Sequence, residues 1–119
     1  MSALEKVTIE TFEDRVIGSE QPVLVEFSTS RCPACHAVKP TLERLAEDYS
    51  GRARVVEVNI EEEPALGRFF RIRAVPTLVF FKDGEPVDGV LGAPAASVLR
   101  RKLEGLTSCC DPGEGGCCR

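Results

Sequence analysis

The stretch PVLVEFSTSRCPACHAVKP, Pro22 to Pro40, joins a run of β-branched and aromatic residues to two cysteines that open a helical pattern. Its first part, Pro22 to Thr29, carries one charge, Glu26, and predicts a buried central strand. From Cys32 to Tyr49 apolar residues recur at helical spacing, so we expect a helix directly after this strand. The cysteine pair therefore lies where a strand ends and a helix begins.

The flanking sequence continues this alternation of helices and strands. The predicted elements are a small first strand around Val7 to Ile9, helices over Thr11 to Gly18, Glu62 to Phe70 and Pro94 to Leu106, and strands over Arg54 to Ile60, Thr77 to Phe81 and Pro86 to Gly92. The Asp83-Gly84 dipeptide is typical of a tight hairpin between the last two strands. This order predicts an α/β fold with a mixed central sheet flanked by helices.

The length of the chain and its charge limit the classes of function. A chain of 119 residues can form one domain that folds without covalent staples. We expect this domain over residues 1–106, followed by a flexible cysteine-rich tail over residues 107–119. The formal net charge of −4, with both signs interspersed, offers no basic surface for nucleic acid or an anionic membrane. We therefore expect protein partners. The protein itself is expected to be a monomer.

The use of cysteine depends on the compartment. No apolar run approaches the ~20 residues that cross a bilayer, and the first 22 residues lack the basic-then-apolar order of a secretory signal. These features favour the cytoplasm. In a reducing cytosol the six cysteines are more typical of catalysis, metal binding or redox sensing than of structural bridges.

Cys32 is the predicted nucleophile. A thiol attacks as its thiolate, and an ordinary cysteine pKa near ~8.5 leaves little thiolate at neutral pH. Cys32 opens a helix, where free backbone N–H groups favour an anion, and Arg31 adds a positive charge beside it. Both effects are expected to increase the thiolate fraction.

Cys35 is the predicted resolving thiol. It lies about one helical turn after Cys32, so its sulfur can attack a mixed disulfide that Cys32 forms with a substrate. Pro33 suits the first helical turn because it needs no hydrogen-bond donor there, and Ala34 lets a partner backbone come close.

Two other interpretations of this cysteine pair remain open. It can be half of a zinc site, but His36 adjoins Cys35 and could hardly reach the same ion as Cys32, so the C-terminal cysteines would have to complete the site. It can also be a structural disulfide. A cytosolic Cys-x-x-Cys beside a βαβ pattern favours redox chemistry, and we predict no metal at the pair.

Several motifs together resemble the thioredoxin family. They are VLVEF before the cysteines, RCPACHAVKP with a proline five residues after the second cysteine, VNIEEEP, IRAVPTLVFFKDGEPV, and Gly92 before the last helix. The resemblance covers about Leu24 to Leu106 with close spacing throughout. It implies a thioredoxin fold and a thiol–disulfide oxidoreductase that exchanges electrons with protein disulfide substrates, is recharged by an unidentified reductase and needs no organic cofactor.

The resemblance also implies roles for residues away from the cysteines. Val75-Pro76 is expected to be a cis peptide bond that faces the cysteines and, with Gly92, borders the substrate site. Where thioredoxins carry a buried Asp behind the resolving cysteine, this chain has Glu26, which is expected to accept the proton of Cys35. The alternative is a half-exposed Glu26 paired with a lysine.

The chain departs from the family pattern near this site. Glu57 stands where the family often has a lysine, and a second carboxylate there would raise the pKa of one of the two acids. Ser28 and Arg31 replace two tryptophans, so the apolar docking rim is thinner. Pro-Ala replaces Gly-Pro between the cysteines, which can move the reduction potential in either direction. His36 is interpreted as a solvated helix residue, with a proton shuttle as the alternative.

The tail carries two cysteine doublets outside the resemblance. Cys109-Cys110 and Cys117-Cys118 flank a turn-prone segment, so disulfides between the doublets are geometrically plausible and an auxiliary redox role follows. Four thiols close together can also bind a soft metal. A soft-metal-binding or redox-sensing protein is therefore the alternative function, and an accidental accumulation of cysteines is the third interpretation.

Overall fold

The predicted alternation of strands and helices is present in the computed structural model, which describes residues 4–107. The strands are β1 (Glu5–Lys6), β2 (Val23–Ser28), β3 (Arg54–Asn59), β4 (Thr77–Lys82) and β5 (Glu85–Leu91), and the helices are α1 (Pro33–Asp48), α2 (Pro64–Phe69) and α3 (Ala96–Thr107). A single π-helical turn, Glu13–Ile17, lies between β1 and β2. The C-terminal cysteine doublets lie outside the described residues.

The five strands form one mixed sheet in the order β1-β3-β2-β4-β5. β1, β3 and β2 are parallel, whereas β4 runs antiparallel to both β2 and β5. Phe27 pairs with Thr77 and Ser28 with Asn59, so the last residues of β2 and β3 lie beside the first residue of β4. The loops that follow β2 and β3 and the loop that precedes β4 therefore share one end of the sheet.

Both faces of the sheet are covered, because successive strand residues point to opposite sides. One core lies under α1 and α3 and includes Leu24, Leu42, Leu78, Phe80 and Leu103, all fully buried. The other lies under α2 and the π-helical turn and includes Val25, Phe27 and Val56. Burial on both faces explains why β2 shows an apolar run and not an alternating pattern.

Asp83 and Gly84 form the hairpin turn expected from the sequence. Both have positive φ, 55° and 82°, and Lys82 pairs with Glu85 across the two-residue loop. Positive φ at both central positions matches the twist of the flanking strands, which is why Asp-Gly is favoured there. The hairpin is thus set by local chemistry.

The first elements differ from the sequence prediction. The first strand is Glu5–Lys6, whereas we placed it around Val7 to Ile9. Val7 donates one more hydrogen bond to β3, and then the amide of Thr8 binds the hydroxyl of Thr11 in a turn that leads the chain away from the sheet. The short helix predicted over Thr11 to Gly18 is confined to the π-helical turn.

Among residues 4–107, no helix is both long enough and apolar enough to cross a bilayer.

Candidate active site

Cys32 and Cys35 lie at the start of α1, at the sheet end where β2, β3 and β4 meet. Their Cα atoms are 5.2 Å apart and their sulfur atoms are bonded as a disulfide. Pro33 occupies the first helical position. A backbone N–H there has no intrahelical partner, so the missing N–H of proline costs no hydrogen bond. The helical turn predicted from the sequence thus brings the two sulfurs together.

Cys32 is the N-cap residue of α1. Its backbone is extended, with φ −93° and ψ 109°, and its sulfur accepts a hydrogen bond from the amide of Cys35, with an N–Sγ distance of 3.0 Å. Such a cap uses one of the free N–H groups of the first turn, and these groups favour a negative charge at the sulfur. Cys32 is 9% exposed and Cys35 only 3%, so Cys32 is the more accessible of the two residues.

The loop between β2 and α1 is held by hydrogen bonds to the end of β3. The side-chain amide of Asn59 donates a hydrogen bond to the hydroxyl of Ser30 at 3.0 Å. The backbone amide of Ser30 donates to the carboxylate of Glu61 at 3.2 Å. Exposed His36 reaches back to the same loop, with its Nε2 atom 2.9 Å from the carbonyl oxygen of Ser30. A carbonyl can only accept, so Nε2 carries a hydrogen here. Polar contacts thereby fix the backbone that precedes Cys32.

Val75-Pro76 is a cis peptide bond, as the family resemblance implied. It directly precedes β4, at the sheet end that also carries Cys32. Gly92, with φ 86°, donates its amide hydrogen to the carbonyl oxygen of Pro76 at 2.9 Å. A backbone hydrogen bond therefore joins Pro76 and Gly92, two of the predicted substrate residues. Two further predicted substrate residues, Arg31 and Ala34, are exposed beside Cys32.

Glu26 is completely buried on the sheet face covered by α1. Residues 24 and 26 of β2 point to the same side, and Leu24 packs into the core beneath α1. Glu26 is 0% exposed, and neither of its carboxylate oxygens has a hydrogen-bond partner among the described residues. Cys35 is one of the buried residues of α1, so it also faces the sheet.

Burial is the main reason that the pKa of Glu26 rises from 4.5 to about 7, and the neighbouring carboxylate of Glu57 raises it further. The charges of Lys39 and His36 act in the opposite direction. A carboxyl group with this pKa can both take up and release a proton near neutral pH. The direction agrees with the expectation that Glu57 would raise the pKa of one of the two acids.

The alternative of a half-exposed Glu26 paired with a lysine is wrong. The lysine of this site is Lys39, on α1, and its Nζ atom lies 2.8 Å from Oε1 of Glu57. Glu57 keeps a small exposed fraction, 8%, and is the acid that Lys39 contacts, whereas Glu26 is enclosed.

Sequence reasoning missed the contributions of Lys39 and Asn59. Asn59 is a polar residue at the carboxyl end of a buried parallel strand, and that position could have indicated it. Lys39 gave no such signal, because its contact with Glu57 joins residues on different elements that are distant in sequence.

Metal ligands do not gather within residues 4–107: no group of three or more His, Cys, Asp or Glu side chains there is arranged to hold an ion. Nothing observed favours the metal-binding alternative. The predicted auxiliary cysteines, Cys109, Cys110, Cys117 and Cys118, lie outside the described residues.

The family model and the relatives that this chain matches are all described as thioredoxins. A family model described as thioredoxin matches residues 3–105. The chain is similar to thioredoxin 1 of Nostoc sp., with 41% identity over 87% of this chain and 97% of that protein. It is 40% identical to the thioredoxin of Staphylococcus saprophyticus over 86% of this chain and 96% of that one. It is 36% identical to the chloroplastic M-type thioredoxin of Pisum sativum, over 87% of this chain and 60% of that protein.

The fold, the bonded cysteine pair and these similarities define a thiol–disulfide oxidoreductase. The chain belongs to the thioredoxin family, as the motif resemblance implied.

Proposed function

We propose that Cys32 attacks a disulfide of a protein substrate and that Cys35 resolves the resulting mixed disulfide. The observation that carries this assignment is the N-cap position of Cys32, whose sulfur accepts the amide hydrogen of Cys35. A charge on the sulfur of Cys32 is stabilised there, whereas Cys35 is enclosed. The accessible, stabilised thiolate is the better first nucleophile.

In the first step the Cys32 thiolate forms a bond to one substrate sulfur, and the other substrate sulfur leaves as a thiolate that takes a proton from water. In the second step the sulfur of Cys35 attacks Cys32 and releases the first substrate sulfur. The substrate gains two electrons, and the cysteine pair becomes a disulfide.

Glu26 is the proposed proton acceptor for the thiol of Cys35 in this second step. Its carboxyl group lies under α1 on the sheet face toward which Cys35 points, and its raised pKa, about 7, lets it bind that proton. The proton then passes to the released substrate thiolate or to water. No organic cofactor is required, because the electrons reside in the two cysteines.

An extended substrate segment is proposed to pair with the backbone of Val75. The carbonyl oxygen of Pro76 already accepts from Gly92, and Pro76 has no N–H, so the free pairing groups of this corner belong to Val75. Pro33, Ala34 and Arg31 would border the other side of the substrate.

We further propose that the domain, residues 1–106, works as a monomer in the cytoplasm without residues 107–119, and that an unidentified protein reductase recharges it. A dithiol that reduces its partners must itself be kept reduced, and the cytoplasm provides that condition. Cell fractionation tests the location, since one relative is chloroplastic by name.

Insulin reduction driven by dithiothreitol tests the assignment of the cysteines. The full chain and a chain ending at Leu106 should be active, whereas Cys32→Ser should be inactive. Cys35→Ser, reduced and then freed of dithiothreitol before insulin is added, should accumulate a mixed disulfide with insulin, visible on a non-reducing gel. Activity that survives Cys32→Ser would contradict the proposal. Zinc measured in the same samples tests the alternative, which requires metal that is lost with the tail.

A further inference from the structure

Three charged side chains meet beneath α1. Glu26 on β2 pairs in register with Glu57 on β3, and both are buried, with 0% and 8% exposure. Lys39 of α1 forms an ion pair with Glu57 at 2.8 Å. Side chains in register on adjacent parallel strands point to the same face, about 5 Å apart, so the two carboxyl groups are close neighbours.

Two buried carboxylates side by side are unfavourable, because like charges repel and neither is well solvated. Within residues 4–107, Lys39 is the one cation that forms an ion pair with either acid, and its partner is Glu57. The hydrogen bond to Glu57 is also the main reason that the pKa of Lys39 is raised. The raised pKa keeps Lys39 charged beside Glu57, and Glu26, with a pKa of about 7, is the acid whose charge changes near neutral pH.

We propose that Lys39 and Glu57 are positioning residues that together set how readily Glu26 takes up and releases the proton of Cys35. This inference rests on the proposed role of Glu26 as proton acceptor. Neither residue needs to touch the substrate or the reacting sulfur atoms, since both act through the charge that they present to Glu26.

The two residues have opposite effects on Glu26. The negative charge of Glu57 makes ionisation of Glu26 harder, and the positive charge of Lys39 makes it easier. Loss of Lys39 leaves an unbalanced carboxylate beside Glu26, whereas loss of the charge on Glu57 removes the repulsion and frees Lys39 to attract Glu26. The two substitutions must therefore move the proton affinity of Glu26 in opposite directions.

Other groups that face Glu26 contribute less or nothing. His36 of α1 acts weakly in the same direction as Lys39, being the last of the causes that act on Glu26. On the other side, the residue of β4 in register with Glu26 is Leu78, which carries no charge. The charge of Glu43, on the same helix, also raises the pKa of Lys39 and so favours its charged form.

The experiment compares Lys39→Met, Glu57→Gln and the double variant in the full, reduced chain. The carboxyl carbon of Glu26 is titrated by ¹³C NMR, and the rate of a single turnover with insulin is measured against pH. The matched control is Lys102→Met, which breaks an ion pair of similar length, with Asp88 at 2.7 Å, and replaces a lysine that is about as exposed as Lys39.

Lys39→Met should raise the midpoint of the Glu26 titration by about one pH unit, and Glu57→Gln should lower it by about one pH unit. The pH dependence of the single-turnover rate should shift in the same direction as the midpoint. The double variant should shift less than either single change, because one charge of each sign is lost. Lys102→Met should leave the midpoint where it is in the original protein.

The inference is overturned if the two single variants move the midpoint in the same direction, or by no more than the Lys102→Met control. Lys39 is 34% exposed, so Lys39→Met should keep the fold, and its shift alone decides the sign if Glu57→Gln does not fold. Glu26→Gln separates the two proposals. If it leaves the rate profile unchanged while the NMR midpoint responds as expected in the other variants, the role as proton acceptor fails and the charge coupling stands.

Discussion

The amide of Cys35 donates a hydrogen bond to the sulfur of Cys32 over 3.0 Å, so the proposed resolving residue is placed to stabilise a charge on the proposed nucleophile. The bond exists because Cys32 is the N-cap of α1 and the amide three residues later is one of the free donors of the first turn. One turn of helix thus provides both the second thiol and the dipole that favours a thiolate at the first.

Alkylation of Cys32 should reflect this stabilisation. In the reduced protein, the rate of reaction with iodoacetamide should reach half its maximum at a pH below ~8.5, the value of a free cysteine. Peptide mapping by mass spectrometry follows Cys32 separately from the other cysteines. Cys35 should react far more slowly because it is only 3% exposed. The denatured protein is the control, and equal midpoints in the folded and denatured protein would show that the helix terminus has no effect.

Stability should fall as the pH rises through the range in which Glu26 ionises. Its pKa is 4.5 when exposed and about 7 in the folded protein, so between these values the folded state binds more protons than the unfolded state. A raised carboxyl pKa therefore stabilises below about pH 4.5 relative to pH 8. We expect the free energy of unfolding to contain a loss of about 3 kcal/mol across this range.

Urea unfolding of the oxidised protein at pH 4.5 and pH 8 measures this loss, with Glu26→Gln as the control. The Gln side chain has a similar shape and no titratable proton. The pH dependence of the variant should therefore be weaker by about the same 3 kcal/mol. Identical pH dependence in both proteins would mean that Glu26 ionises at its ordinary pKa.

Gly84 should be more sensitive to substitution than another glycine with the same backbone conformation. Gly84 and Gly51 have φ of 82° and 86°, but a Cβ atom at Gly84 would lie 3.0 Å from the carbonyl oxygen of Ile17, whereas Gly51 has nothing within 4 Å. Gly51→Ala should cost about 1 kcal/mol from backbone strain alone, and Gly84→Ala about 2 kcal/mol or more. Equal costs in denaturant unfolding would show that the contact with Ile17 relaxes freely.

The hydroxyl of Tyr49 should connect the end of α1 to α3. It donates to the carboxylate of Glu104 at 2.7 Å, while Tyr49 as a residue is only 1% exposed. Tyr49→Phe keeps the ring and should lower the free energy of unfolding by about 1 kcal/mol. In a Glu104→Ala background the same change should cost less, because the partner is already lost. An unchanged cost in that background would exclude this bond as the source.

Local patterns predicted most of the elements because their causes are local. Asp83-Gly84 specifies its hairpin through backbone conformation, and Pro33 suits the first turn of a helix. β1 was misplaced because its length depends on where the turn between Thr8 and Thr11 draws the chain away from β3. An edge strand of two residues has too few side chains to define a pattern.

The sequence by itself determined the strand–helix junction at Cys32, the one-turn spacing to Cys35 and the hairpin, because each depends on residues within a few positions of one another. Only the tertiary structure decided that Glu26 is enclosed and that Lys39 pairs with Glu57. Burial and charge pairing depend on which elements pack together in space. Strand register sets Glu26 beside Glu57, and the position of α1 over the sheet decides which acid meets the lysine.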